Sequence, residues 1–219
     1  SDADARRTLE AAYDSGLRYF DTAPFYGRGL SEQRFGEFLR DQPRDSFVLS
    51  TKVGRVLFPS DGPLSDPGTV GALPFEYRFD YSYDGVMRSY EDSLRRLGME
   101  KVDLLLIHDL DAVMHEDSES LESHFAQLRD GGFRARDELR KAGAISGIGA
   151  GVNMAGTTRR FLDTFDIDFF ILALPYTLLD QEALDDDLPY CAERGASIVL
   201  GAPFSSGILT GSTSTYKYE

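Results

Sequence analysis

The sequence predicts an α/β fold built on a parallel sheet. Three observations carry this: six apolar runs of strand length recur along the 219 residues, amphipathic helical stretches separate them, and chemically able side chains stand just past the ends of the runs. A stripe of Leu9, Ala12 and Tyr13 opens the chain as a helix that Gly16 ends, and the first apolar run, 17–20, follows. Ser31 is placed to cap a helix over 32–40 before the second run at 47–50. Between 54 and 84 the rhythm breaks. About thirty residues rich in Gly and in Pro59, Pro63, Pro67 and Pro74 predict a long loop over the carboxyl edge of the sheet.

Order then resumes. Val86, Tyr90, Leu94 and Leu97 share one helical face within 84–98, with Asp84 as N-cap and Gly98 as the stop. The remaining runs, 102–107, 144–148, 169–173 and 197–200, are mostly apolar on both faces, as buried parallel strands are. Helices are predicted over 133–141, 157–165 and 182–193. Two architectures satisfy this alternation, an open doubly wound sheet and a closed (β/α)8 barrel. Six strands are visible, so a barrel of about 250 residues needs one more before residue 1 and another after residue 219. No repeat or low-complexity linker divides 1–219, which is expected to be one domain; 212–219 reads as a polar tail.

Composition excludes several functions. Twenty-three basic against thirty-seven acidic side chains leave a net charge of −14, which repels nucleic acid and anionic lipid. No apolar run approaches the ~18–20 residues of a membrane span, and no basic segment followed by an apolar one opens the chain as an export signal. Cys191 is alone, so a disulfide framework and a cysteine zinc site are both excluded, and a reducing cytoplasm is the expected compartment. His108, His115 and His124 lack metal-motif spacing, so no metal is expected.

Chemistry gathers at the strand ends. The first run leads into Asp21 and then Tyr26, the second into Lys52, the third into His108 and the fourth into Asn153. Parallel α/β sheets place ligand sites at the carboxyl ends of their strands, so these side chains are expected to share one mouth. Singly each has an ordinary explanation: a turn-forming Asp, a rim Tyr, a solvated Lys, a satisfied His. Together they form an acid–base set. A lysine ammonium beside a phenol favours the phenolate, Asp21 pairs the lysine, and His108 can donate to a substrate oxygen. Such a set suits proton transfer coupled to hydride transfer at a carbonyl or carbinol carbon, and the hydride requires a cofactor.

These residues resemble a known family. The blocks Phe20-Asp-Thr-Ala-Pro-Phe-Tyr-Gly27 with Ser31-Glu32, Leu49-Ser-Thr-Lys-Val-Gly-Arg55 and Val102-Asp-Leu-Leu-Leu-Ile-His108 are similar to the signatures of the aldo-keto reductases. Val70–Phe75, Asp80–Ser89, Tyr176–Gln181 and Phe204–Leu209 resemble its D-threo-aldose (L-fucose) 1-dehydrogenase and pyridoxal 4-dehydrogenase branch. The resemblance implies a (β/α)8 TIM barrel, here without its first and last strands, that uses NADP or NAD. It makes Tyr26 the acid/base, Lys52 and Asp21 its tuning pair, and His108 the group that orients the substrate oxygen. It assigns Asn153 to the nicotinamide carboxamide, Phe204 to stacking on the ring, and Ser205 and Ser206 to the pyrophosphate. Phe25, Arg55 and Phe58 are expected to line the substrate mouth.

The chain departs from the family at Ala173, where many members carry a glutamine, and at Pro175. The implied activity is oxidation of an aldose hemiacetal such as L-fucose to its lactone, with pyridoxal the alternative substrate. A regulatory cofactor-binding module with little turnover is the rival from another class.

Overall fold

The computed structural model describes residues 1–65, 70–115 and 117–210. The chain separates into two compact units, Ser1–Leu106 with His124–Gly147, and Ile107–Ser123 with the residues from Ile148 onward.

The first unit opens with helix α1 (Asp2–Asp14). Ser1 caps it in a capping box, its hydroxyl accepting from the Asp4 amide while the Asp4 carboxylate reaches back. Strand β1 (Tyr19–Asp21) runs parallel to β2 (Val48–Val53), with Phe20 opposite Leu49 and Asp21 opposite Ser50. In the sheet, β5 (Leu104–His108) follows β2. Phe20 centres the aromatic core here: its ring stacks on Tyr13 at 6.5 Å and meets Phe35 and Phe47 edge-on at 6.2 and 6.4 Å. The two buried rings, Phe20 and Phe47, each contribute about 1.5–3 kcal/mol of transfer free energy.

Two expected caps are displaced. Helix α2 (Leu30–Leu39) starts from Gly29, not Ser31, because Gly27, Arg28 and Gly29 all have positive φ and the helix begins only after them. At φ 97°, Gly29 stands in a region that side chains avoid. Ser31 falls inside the first turn, where its hydroxyl meets that of Thr22 at 2.8 Å. Helix α3 (Tyr83–Leu97) is capped by Ser82, whose hydroxyl accepts from the Gly85 amide at 3.1 Å; Asp84 lies in the first turn, and Gly98 ends the helix as expected.

The segment 54–84 is not a structureless loop. Strands β3 (Arg55–Pro59) and β4 (Phe75–Phe79) pair antiparallel within it, from Arg55 opposite Phe79 to Pro59 opposite Phe75. Helix α4 (Ser118–Gln127), which the sequence reading passed over, starts at the Asp117 carboxylate, acceptor from the Ser120 amide at 2.9 Å. Helix α5 (Phe133–Lys141) lies where expected.

In the second unit β6 (Gly147–Val152), β7 (Phe169–Ala173) and β8 (Ser197–Gly201) lie side by side, with β6–β7 and β7–β8 parallel. Gly149 stays small because a Cβ there would stand 2.7 Å from the Phe169 ring. Helix α6 (Thr157–Thr164) packs against α7 (Asp187–Arg194). The expected helix over 182–193 is divided. Residues Glu182–Leu184 form a separate 3₁₀ turn, and buried Asp187 accepts from the Gly156 amide at 2.8 Å and the Thr158 amide at 3.3 Å, holding the start of α6. Among the described residues no helix is long and apolar enough to cross a membrane. The tail 212–219 lies outside the described residues.

Candidate active site

The first unit brings Asp21, Tyr26 and Lys52 together. Parallel register sets Asp21, the last residue of β1, beside Ser50 within β2, and Lys52 lies one pleat further along β2 on the same face. The Lys52 ammonium donates to Asp21 Oδ2 at 2.5 Å, to the Thr22 carbonyl at 3.1 Å and to the Tyr26 phenolic oxygen at 3.1 Å. All three ammonium hydrogens thus have acceptors, and the side chain is 3% exposed. Burial works against the charge, but the Asp21 carboxylate and the Tyr26 oxygen outweigh it and hold the lysine above its ordinary value of 10.5. Asp21 is itself fixed by the Ser50 hydroxyl at 2.5 Å. Tyr26, 39% exposed, carries the accessible end of this chain of polar groups.

A second set of contacts secures the scaffold. Glu32 is wholly buried, accepting from the Thr51 hydroxyl at 2.7 Å and from Arg96 Nε at 2.5 Å. It ties α2 to β2 and α3 beside the lysine's own strand. The turn Tyr26–Gly29 is held from the hairpin side, where the Leu73 amide donates to the Gly27 carbonyl at 3.0 Å. Arg55 does not line an open mouth. It is buried, with its guanidinium 4.1 Å from the Phe25 ring centre and also over Tyr77 and Phe79. Phe58 is exposed on β3, and Phe25 meets Tyr77 edge-on at 5.2 Å.

The second unit gathers His108, Asp109, Asp111 and Asn153. His108 ends β5, Asp109 and Asp111 lie in the three residues after it, and Asn153 follows β6. His108 is buried, its Nε2 3.3 Å from Asp109 Oδ2. Asn153 Nδ2 donates to Asp109 Oδ1 at 2.9 Å and to Asp111 Oδ2 at 3.2 Å, while its backbone amide donates to Asp111 at 2.7 Å. Farther along, Phe204 is 61% exposed, the Ser205 hydroxyl donates to Thr177 Oγ1 at 3.1 Å, and Ser206 lies in the 3₁₀ turn Ser205–Thr210. Glu32, Asp109 and Asp111 carry no role in the sequence reading.

The pattern of the Aldo/keto reductase family matches residues 1–218. The chain belongs to that family. It is 47% identical to the pyridoxal 4-dehydrogenase of Microbacterium luteolum over 95% of this chain and 64% of that protein. It is 39% identical to the D-threo-aldose 1-dehydrogenase of a Pseudomonas species, over 95% of this chain and 62% of that protein. Among solved structures, the holo form of an aldo-keto reductase from Bacillus halodurans superposes with a TM-score of 0.71 at 26% identity, covering 95% of this chain and 60% of that one. The chain therefore spans less than two thirds of the length of these relatives. The fold class is the (β/α)8 class of the aldo-keto reductases.

Aldo-keto reductases are NAD(P)-dependent oxidoreductases, and the residues of the second unit fit such a cofactor. Carboxylates accept only, so Asp109 and Asp111 claim the Asn153 amide hydrogens and leave its carbonyl oxygen as the group it can offer a carboxamide. Phe204 adds an exposed flat ring, and Ser205 a hydroxyl.

Proposed function

We propose that the protein is an NAD(P)-dependent dehydrogenase that oxidises a cyclic hemiacetal to its lactone. The observation that carries this is the Lys52 ammonium, buried, paired to Asp21 and donating to the phenolic oxygen of Tyr26. A cation fixed there stabilises negative charge on the phenol oxygen, so Tyr26 can take the proton of the anomeric hydroxyl. His108 orients that oxygen by hydrogen bonding, and Asn153, Phe204, Ser205 and Ser206 hold the dinucleotide. A bound oxidised nicotinamide would supply the hydride acceptor for the anomeric carbon. Loss of the hydroxyl proton to Tyr26 and of that hydride would together turn the hemiacetal into a lactone.

Two substrates share this chemistry. L-fucose and related aldoses present a pyranose hemiacetal, and pyridoxal forms an internal one. The 47% identity to a pyridoxal 4-dehydrogenase favours pyridoxal as the first compound to try. We place the activity in the cytoplasm, where the buried thiol of Cys191, pushed up by burial, stays reduced.

The test follows reduced-nicotinamide absorbance while the intact protein is mixed with NAD or NADP and a panel holding pyridoxal, L-fucose and other aldoses. Saturable turnover on one of these, with lactone formed in equal amount, supports the reading. Tight dinucleotide binding with no turnover across the panel contradicts it and favours the regulatory module.

A further inference from the structure

Strands β1 and β2 lay four polar side chains along one face. Side chains alternate across a strand, so Tyr19 and Asp21 share a face of β1, and Ser50 and Lys52 share a face of β2. The parallel register sets Asp21 beside Ser50, and the Tyr19 hydroxyl meets Ser50 Oγ at 3.0 Å. The polar chain that ends at Tyr26 therefore begins at a second tyrosine.

Its hydrogens run in fixed directions. The ionised Asp21 carboxylate has none to give, so the Ser50 hydroxyl donates to its Oδ1 at 2.5 Å, as the Lys52 ammonium does to its Oδ2. Ser50 has a single hydrogen, committed to Asp21, so between the two hydroxyls Tyr19 must be the donor. Burial holds the Tyr19 phenol above its ordinary value of 10, so at neutral pH it keeps the hydrogen that this part requires.

We propose that Tyr19 and Ser50 are positioning residues, a two-hydroxyl strut that keeps the Asp21 carboxylate turned onto Lys52 and so keeps the lysine cation against the Tyr26 oxygen. The strut is needed because exposure is uneven: the Asp21 side chain is 25% exposed, whereas that of Lys52 is 3% exposed. A carboxylate that turned out to water would leave a buried ammonium behind. Ser50, wholly buried, holds it in, and a donor behind Ser50 polarises that hydroxyl and strengthens its bond to the carboxylate. The link to turnover rests on the dehydrogenase reading above; the link to the charge on Lys52 does not.

The test uses the intact protein and its Tyr19→Phe, Ser50→Ala and doubly substituted variants, which remove hydroxyl oxygens and little volume. With cofactor saturating and the best substrate of the panel, Ser50→Ala is expected to lower kcat about tenfold, the scale of one hydrogen bond to a charged group. Tyr19→Phe should lower it about threefold, the scale of a neutral one, and KM should stay unchanged in both. Because Tyr19 acts through Ser50, the double variant should be no slower than Ser50→Ala. Losses that multiply in the double variant, or a Tyr19→Phe protein that turns over at the wild-type rate, overturn the proposal.

The second measurement needs neither substrate nor cofactor. The chain has four lysines, so the ε-carbon signals of lysine-labelled protein are few, and Lys52→Met identifies that of Lys52. Asp21 from β1 and Tyr26 from the turn after it are the titratable groups that face the ammonium, and Tyr19 faces Asp21 by way of Ser50. Burial presses the lysine down and Asp21 holds it up, so loosening Asp21 lets burial draw it down. In carbon-13 NMR, Lys52 is expected to lose its proton at lower pH in Ser50→Ala than in the wild type, with Tyr19→Phe between them. An unchanged titration overturns the proposal, because residues that merely fill space lower the urea midpoint without moving the lysine. A wild type that turns over nothing on the panel removes the dehydrogenase reading, and the lysine titration then still decides the strut.

Discussion

Lys52 donates a hydrogen bond of 3.1 Å to the phenolic oxygen of Tyr26 from a position that is almost wholly buried. A buried ammonium is costly unless its hydrogens are all satisfied, and here Asp21 and the Thr22 carbonyl take the other two. The cation is therefore held in place whether or not substrate is present, and the phenol meets a fixed positive charge.

Replacing Lys52 by Met removes that charge. Turnover is expected to fall by at least about 10²-fold, the lower range for loss of assisted proton transfer. Stability falls too, by about 3 kcal/mol, the low end for a broken buried pair, because Asp21 keeps its Ser50 bond and is partly exposed. The pH dependence has a definite sign. The lysine's pKa is raised above 10.5, so its contribution is fully present below 10.5 and is lost as pH climbs through the raised value. The stability gap between wild type and Lys52→Met, measured by urea unfolding, should stay flat from neutral pH up to 10.5 and narrow above it. A gap that narrows between neutral pH and about 10 would contradict this.

Glu32 is expected to matter to the fold more than any surface carboxylate. Glu32→Gln cannot accept fully from both Thr51 and Arg96, so it should cost about 2 kcal/mol. Asp92→Asn, which breaks a contact to the well-exposed Arg95, should cost under about 1 kcal/mol. Urea midpoints at unchanged m-value separate the two cases. Equal effects would mean that the buried network adds nothing.

Gly36→Ala tests the approach of α2 to α3. By helix propensity alone, alanine should stabilise by about 1 kcal/mol. Its Cβ, however, would stand 2.1 Å from the Leu97 carbonyl oxygen, and overpacking typically costs 1–3 kcal/mol. Packing should win, and the thermal midpoint should drop. A midpoint that rises would show that the helices can separate cheaply.

The strands were legible because buried parallel strands are continuous apolar runs, and Asp21, Lys52 and His108 were legible because they end those runs. The hairpin was not. Prolines and glycines dominate 54–84, yet Phe75, Tyr77 and Phe79 alternate with charged residues at strand period, a signal of five residues inside a stretch about six times longer. The start of α2 was misread because nothing local requires Arg28 to be left-handed; the turn on which Tyr26 sits imposes it. Glu32 belongs to the Ser31-Glu32 motif, and its burial has a local signal: a carboxylate that shares a helical face with Phe35, Gly36 and Leu39 needs a buried partner. Asp109 and Asp111 lie one and three residues past the strand-end histidine, but their placement against Asn153 depends on β6 and is a matter of tertiary structure.

The most direct measurement is the single-turnover rate of nicotinamide reduction by Tyr26→Phe, with cofactor saturating and the best hemiacetal substrate of the panel. The substitution deletes the phenolic oxygen, one of the three acceptors of Lys52, but leaves Asp21 and the Thr22 carbonyl in place, so the fold should persist at a cost of about 1–3 kcal/mol and dinucleotide affinity should stay near wild type. The rate should fall by about 10²–10⁴-fold, the contribution of a positioned acid or base. A Tyr26→Phe protein that reduces its cofactor within a few-fold of the wild-type rate would contradict the assignment of proton transfer to the Asp21–Lys52–Tyr26 chain.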